Sequence, residues 1–169
     1  MESVRTNDNV TYTYNPGSCW TLLSGHCGPT PYYAIFQKKV GNKLAVKAYF
    51  GGHVVDINEE GQVYINGEYR YLGDEREERY EDSPYSSSYL YFKILKLGKI
   101  IHVYSDRLRI WMATDGHFIQ VMPDPFIRGQ HCGICGNFNR NQYDEWMGKD
   151  GATIHKSADD AVNDWQWKC

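Results

Sequence analysis

Apolar and polar positions alternate with a period of two through most of this chain. In residues 44–50, Leu44, Val46, Ala48 and Phe50 alternate with Lys47 and Tyr49, and Lys43 precedes them on the polar phase; this is the pattern of a strand with one buried face. Short runs of the same kind predict strands over 10–14, 19–23, 32–39, 53–57 and 62–65, and again over 89–97, 100–104, 108–113 and 117–121. Between them stand turn formers: Asn15-Pro16-Gly17, Gly41-Asn42, Gly51-Gly52, Leu97-Gly98-Lys99-Ile100 and Thr114-Asp115-Gly116-His117. Many short strands at this spacing mean an all-β sandwich or barrel. Residues 73–88 (GDEREERYEDSPYSSS) are charged and Ser-rich with no apolar period, which predicts a long flexible loop. After Pro123 the alternation stops. One short helix is predicted from Ser157, where Ser-Ala-Asp-Asp supplies a cap and first-turn acids ahead of Ala161, Val162 and Trp165.

Composition supports the sheet. Fourteen Tyr, five Trp and six Phe in 169 residues favour strands, and that length suits one domain over 1–169. A net charge of -3 and the lack of a Lys/Arg cluster interleaved with aromatics argue against nucleic acid as a partner. No apolar run reaches the roughly 18–20 residues of a transmembrane segment, and Met1-Glu2-Ser3 has no signal-peptide core behind it; if the natural protein is secreted, this chain is expected to be an excised piece of it.

Five cysteines, Cys19, Cys27, Cys132, Cys135 and Cys169, allow at most two internal bridges and leave one thiol over. Cys132-Gly-Ile-Cys135 admits three readings. A redox pair needs a βαβ setting that this pattern lacks. A zinc site would recruit His26, Cys27, His131, Cys132 and Cys135, but only one short-spaced pair is present. Scaffold cysteines with distant partners are the third reading. A bridge between Cys27 and Cys132 would also bring the flanking His26 and His131 near each other. Next in the chain, Asn137, Asn139, Asn141, Asp144 and Glu145 offer oxygen ligands within nine positions, which suits a hard cation such as calcium. The spacing starts like an EF-hand and then fails, with Gln142 at the glycine position and Gly148 at the closing glutamate position, so a further carboxylate is required or the segment is only a solvated turn. Asn9-Val10-Thr11 is an N-glycosylation sequon. No nucleophile elbow or zincin helix is present, and no enzymatic activity is expected.

The stretch CGICGNFNRNQYDEW resembles the CGLCGNFNGNxxDDF signature of von Willebrand factor type D domains. The resemblance extends over nearly the whole chain. Residues 5–12 (RTNDNVTY) look like the family's T-F-D-G-x-x-Y opening, 17–22 (GSCWTL) like its G-x-C-x-Y/W-x-L, and Asn163-Asp-Trp165 with Cys169 like its closing N-S-W and final cysteine. Two departures stand out: Asn7 replaces a Phe, and the family's opening-strand cysteine would lie upstream of Met1.

The resemblance implies an antiparallel β-sandwich of two sheets, disulfide-stapled, with an irregular calcium-binding loop and a short C-terminal helix. It brings Asp8 to Asn137, Asn139, Asp144 and Glu145 as the calcium ligands; zinc at the Cys-x-x-Cys pair and its neighbouring histidines is the alternative cofactor. It implies the bridges Cys19–Cys169 and Cys27–Cys132 and leaves Cys135 unpaired. Within the family the opening and the Cys-Trp pair look most like vitellogenins and related large lipid transfer proteins. A non-catalytic, secreted module of a yolk-precursor and lipid-transport protein is therefore expected. Its partners would be other domains of the parent, a receptor or a second copy, and lipid would be carried by the parent rather than here. The alternative within the family is an adhesive or multimer-assembly module of a mucin- or clotting-factor-like protein.

Overall fold

A computed structural model describes residues 1–28, 32–75, 77–81, 90–106 and 108–167. Strands β1 (Glu2–Arg5) and β2 (Thr11–Tyr14) form a two-stranded antiparallel sheet. Strands β3 (Trp20–His26), β4 (Tyr33–Val40), β5 (Lys43–Phe50), β6 (His53–Ile57), β7 (Val63–Ile65) and β8 (Glu68–Arg70) follow one another as an antiparallel meander. A second meander runs through β9 (Glu77–Glu81), β10 (Leu90–Leu97), β11 (Ile100–Ser105), β12 (Ile110–Thr114) and β13 (Ile119–Met122).

The two meanders pack face to face. Ile35, Val46, Ala48, Phe50 and Val55 of the first meet Phe92, Ile94, Val103 and Met112 of the second in one buried cluster, with the Phe50 and Phe92 rings 5.8 Å apart. These side chains occupy every second strand position, so the period of two becomes the inner face of a sandwich. Fully burying each large one is worth roughly 1.5–3 kcal/mol.

The last third of the chain returns to the first sheet. Strands β14 (His131–Cys132) and β15 (Gln166–Trp167) both pair antiparallel with β3, at opposite ends of the same edge. Between these two contacts, β3 carries an irregularity from Leu22 to Ser24. There the Leu22 and Leu23 carbonyls accept from the main-chain N–H groups of Ile134 (3.0 Å) and Cys135 (2.8 Å). A bulge of this kind re-aims the backbone toward a loop rather than a strand. Helix α1 (Ala158–Asp164) begins at Ser157, whose hydroxyl accepts from Asp160 N–H at 3.1 Å, and it buries Ala161 and Val162. Trp165 behind it donates its indole N–H to the Met147 carbonyl at 3.0 Å.

The expected antiparallel β-sandwich and the capped helix are found. The 73–88 loop needs correction: β9 lies within it, pairing with β10 from Glu77↔Leu95 onward. An edge strand held through its main chain needs no apolar alternation, which is why the composition concealed it. Residues 76 and 82–88 of that predicted loop lie outside the described residues.

Candidate functional site

The site is built from the β1–β2 turn and the segment after β14. The turn closes with Thr6 N–H donating to the Val10 carbonyl (2.8 Å) and Asn9 N–H to the Thr6 carbonyl (3.0 Å). It buries Asp8, which is 7% exposed. Asp8 Oδ2 accepts from Asn139 N–H at 3.0 Å and Oδ1 from Arg140 N–H at 2.8 Å, while the Gln142 amide donates to the Asp8 carbonyl at 3.0 Å. A single carboxylate thus clamps the Asn-rich loop to the start of the chain.

Asn139 lies at the surface of that loop. Its side-chain oxygen accepts from Asn141 N–H at 2.8 Å, and its amide donates to Asp144 Oδ2 at 2.6 Å. Asn141 Oδ1 likewise accepts from Tyr143 N–H at 3.1 Å, but four other side-chain oxygens of the loop have no such partner. Asn137 Oδ1, Asp144 Oδ1 and both Glu145 carboxylate oxygens are buried without a hydrogen bond among the described residues. Leaving buried polar atoms unpaired costs about 1–3 kcal/mol each, more when charged. Burial pushes the Glu145 carboxyl up to about 7, Thr6 pulls the other way, and the Asp8 and Asp144 carboxylates push it further up. Among the described residues none of these three carboxylates forms an ion pair.

A hard cation satisfies that need, since calcium takes 6–8 oxygens and readily mixes carboxylate, amide and main-chain ligands. Asp8, Asp144 and Glu145 carry the acid oxygens that such an ion would need, and the Asn139 amide touches Asp144. Among the described residues no three His, Cys, Asp or Glu side chains are grouped to hold a metal by themselves, so the amide and main-chain oxygens are necessary members of any such set.

Sequence reasoning missed Gly136. With φ +85, it lies so close under Glu145 that an added Cβ would stand 2.6 Å from Glu145 Oε2. Gly133, φ +102, is packed against the Leu22 and Leu23 carbonyls, each 2.9 Å from where its Cβ would be. The repeated Cys-Gly of the motif is the signal, because a backbone at positive φ against other backbone admits only glycine.

Cys27 and Cys132 form a disulfide, which ties up two of the thiolates that a zinc site or a redox pair would use. Cys19 is also disulfide-bonded, and its expected partner Cys169 lies outside the described residues. Cys135 is free and buried, and burial, with Glu145 nearby, pushes its thiol up to about 12. His131 stands opposite His26 across β14 and β3. Its Nδ1 lies 2.6 Å from the Tyr33 hydroxyl and its Nε2 3.0 Å from the Asp124 carbonyl. That carbonyl can only accept, so Nε2 carries the proton and Nδ1 accepts from tyrosine. Burial lowers the His131 pKa, the Asp124 carbonyl opposes that, and His26 adds to the lowering. Asn9 is exposed beside buried Asp8.

Together these features define a disulfide-stapled β-sandwich module that presents an oxygen-lined loop clamped to its first turn. The chain belongs to the von Willebrand factor type D domain family, whose sequence profile matches residues 1–152. It is 27% identical over 142 residues to the IgGFc-binding protein of Homo sapiens, covering 80% of this chain and 2% of that protein. It is 22% identical over 155 residues to Vitellogenin-6 of Oscheius tipulae, with 88% of this chain and 8% of that protein covered. To Vitellogenin-2 of Gallus gallus it is 21% identical over 162 residues, again 88% of this chain and 8% of the relative. The chain therefore spans less than a tenth of the length of each of these relatives. No helix among the described residues is long and apolar enough to cross a membrane.

Proposed function

We propose that this chain is a non-catalytic, calcium-binding structural and interaction module of a secreted, vitellogenin-like lipid-transport protein. Asp8, Asn137, Asn139, Asp144 and Glu145 hold the ion, and the module contacts other domains of its parent or a receptor. One observation carries the calcium reading: among the described residues, four buried oxygens on Asn137, Asp144 and Glu145 have no partner within hydrogen-bond distance, in a loop already clamped by Asp8. The several vitellogenins among its relatives support the choice of parent.

Thermal unfolding of the oxidised chain in EDTA, calcium or zinc tests the ion. At calcium one hundred times its Kd, the expected stabilisation is about 2.7 kcal/mol, or roughly 5–10 °C in Tm for a domain of this size. The shift should disappear in Asp144→Ala. A rise with zinc alone would replace this reading with a zinc site, and no rise with either ion would leave the loop a structural turn.

The adhesive or assembly reading is favoured by one finding, the similarity to the IgGFc-binding protein at 27% identity. It calls for links between copies. Cys135 is buried with its thiol strongly protonated, which makes it a poor bridge from the folded state. Disulfide-linked dimers on non-reducing electrophoresis of the secreted parent, lost in Cys135→Ser, would favour assembly over lipid transport.

A further inference from the structure

The Asn9-Val10-Thr11 sequon occupies the turn whose next-door residue is the clamping Asp8. Asn9 and Thr11 are both exposed. The Arg5 guanidinium donates to Asn9 Oδ1 at 3.0 Å, which engages the amide oxygen, and the amide nitrogen makes no hydrogen bond to the described residues. Asn9 also borders a shallow pocket of about 450 Å³ lined by Arg128, Phe138, Arg140, Gln142 and Tyr143. Tyr143 is 93% exposed, although it is a large ring on an otherwise polar turn. Rings of this kind present an apolar face with a polar tip, the surface on which a sugar ring stacks while its hydroxyls find donors. The Arg and Gln side chains of the same pocket are such donors.

We propose that Asn9 carries an N-linked glycan whose first sugars lie in this pocket against Tyr143, roofing the Asn-rich loop from outside. The proposal rests on the secreted reading given above. In the transfer, the Asn9 amide nitrogen attacks C1 of the first N-acetylglucosamine of a lipid-diphosphate-linked oligosaccharide. The N–C1 bond forms, the C1–O bond to the diphosphate breaks, the lipid diphosphate leaves with the electron pair, and one amide proton is released. The Thr11 hydroxyl completes the acceptor.

The chain is expressed behind a secretory signal in cultured animal cells as wild type, Asn9→Gln and Thr11→Ala, and both medium and lysate are read by peptide mass mapping with and without an N-glycan amidase. The wild type is expected to carry one oligosaccharide that the amidase removes, converting Asn9 to aspartate, and both variants are expected to lack it. A wild-type chain that enters the medium with an unmodified Asn9 overturns the proposal and leaves the secreted reading intact. A chain kept out of the medium but glycosylated in the lysate supports the proposal and counts against the secreted reading. The seat is tested on folded protein: Tyr143→Ala should speed amidase release about two- to tenfold, the scale of one lost aromatic contact. Equal rates would overturn the seat against Tyr143.

Discussion

Arg140 donates its main-chain N–H to Asp8 Oδ1 at 2.8 Å across 132 positions of chain, and Asn139 does the same to Oδ2. Asp8 is therefore already satisfied by hydrogen bonds, whereas the Glu145 oxygens have no partner within hydrogen-bond distance among the described residues. The two acids should respond oppositely when the ion is removed. In EDTA, Asp8→Ala is expected to cost about 2–4 kcal/mol, because two charge-assisted hydrogen bonds vanish. Glu145→Gln in EDTA should be neutral or stabilising. In calcium both should destabilise. Urea unfolding of each variant in both buffers checks this, and a large cost for Glu145→Gln in EDTA would mean that its oxygens have partners after all.

The raised Glu145 carboxyl sets a pH dependence with a definite sign. The folded state holds its proton more tightly than the unfolded state, so stability in EDTA is present below the ordinary value of 4.5 and is lost as pH rises toward about 7. Calcium must displace that proton, so its affinity should fall as pH drops below about 7. His131 works the other way: its lowered pKa means that stability is lost as pH falls through its ordinary 6.5. Calorimetric calcium titrations from pH 5.5 to 8, repeated on Glu145→Gln, separate the two, since only the carboxyl contribution should vanish.

Two glycines should fail differently. Gly133→Ala sets a methyl group against two fixed carbonyls at positive φ, and a loss of about 3 kcal/mol or more in urea unfolding is expected. In Gly136→Ala the obstructing atoms are the end of the Glu145 side chain, which can swing aside. That variant should lose less stability in EDTA and more of its calcium response.

The Cys27–Cys132 bridge spans 105 positions and ties β14 to the end of β3. Replacing both cysteines with serine should lower stability by about 4–5 kcal/mol on the loop-entropy account, with native strain able to reduce the figure. Denaturant midpoints of the double variant, compared with the oxidised chain, measure it.

The sandwich was legible because its meander strands announce themselves locally. Leu44, Val46, Ala48 and Phe50 alternate and are followed by Gly51-Gly52, and all four are buried. The helix was equally plain from Ser157 and its acids. What stayed hidden depends on distant partners. β14 and β15 are two residues each and exist only because β3 offers an edge, and β9 is a charged run that becomes a strand by lying beside β10. At the site, the types and spacing of Asn137, Asn139, Asp144 and Glu145 marked an oxygen-rich loop. That Asp8 clamps the loop through two N–H groups, and that Gly136 makes room for Glu145, are facts of tertiary geometry with no local pattern.

The double covering of the β3 edge has a consequence for how the molecule is made. β3 is complete by residue 26, yet the strands that seal its outer side begin at residues 131 and 166. During synthesis, β4 can pair with one side at once while the other side waits for more than a hundred residues to emerge. A bare strand edge is a template for any neighbouring chain. The interval of greatest exposure to mispairing is thus fixed by the order of elements along the chain, and it ends only when the last third folds back, which makes this closure a late, non-local step in reaching the native state.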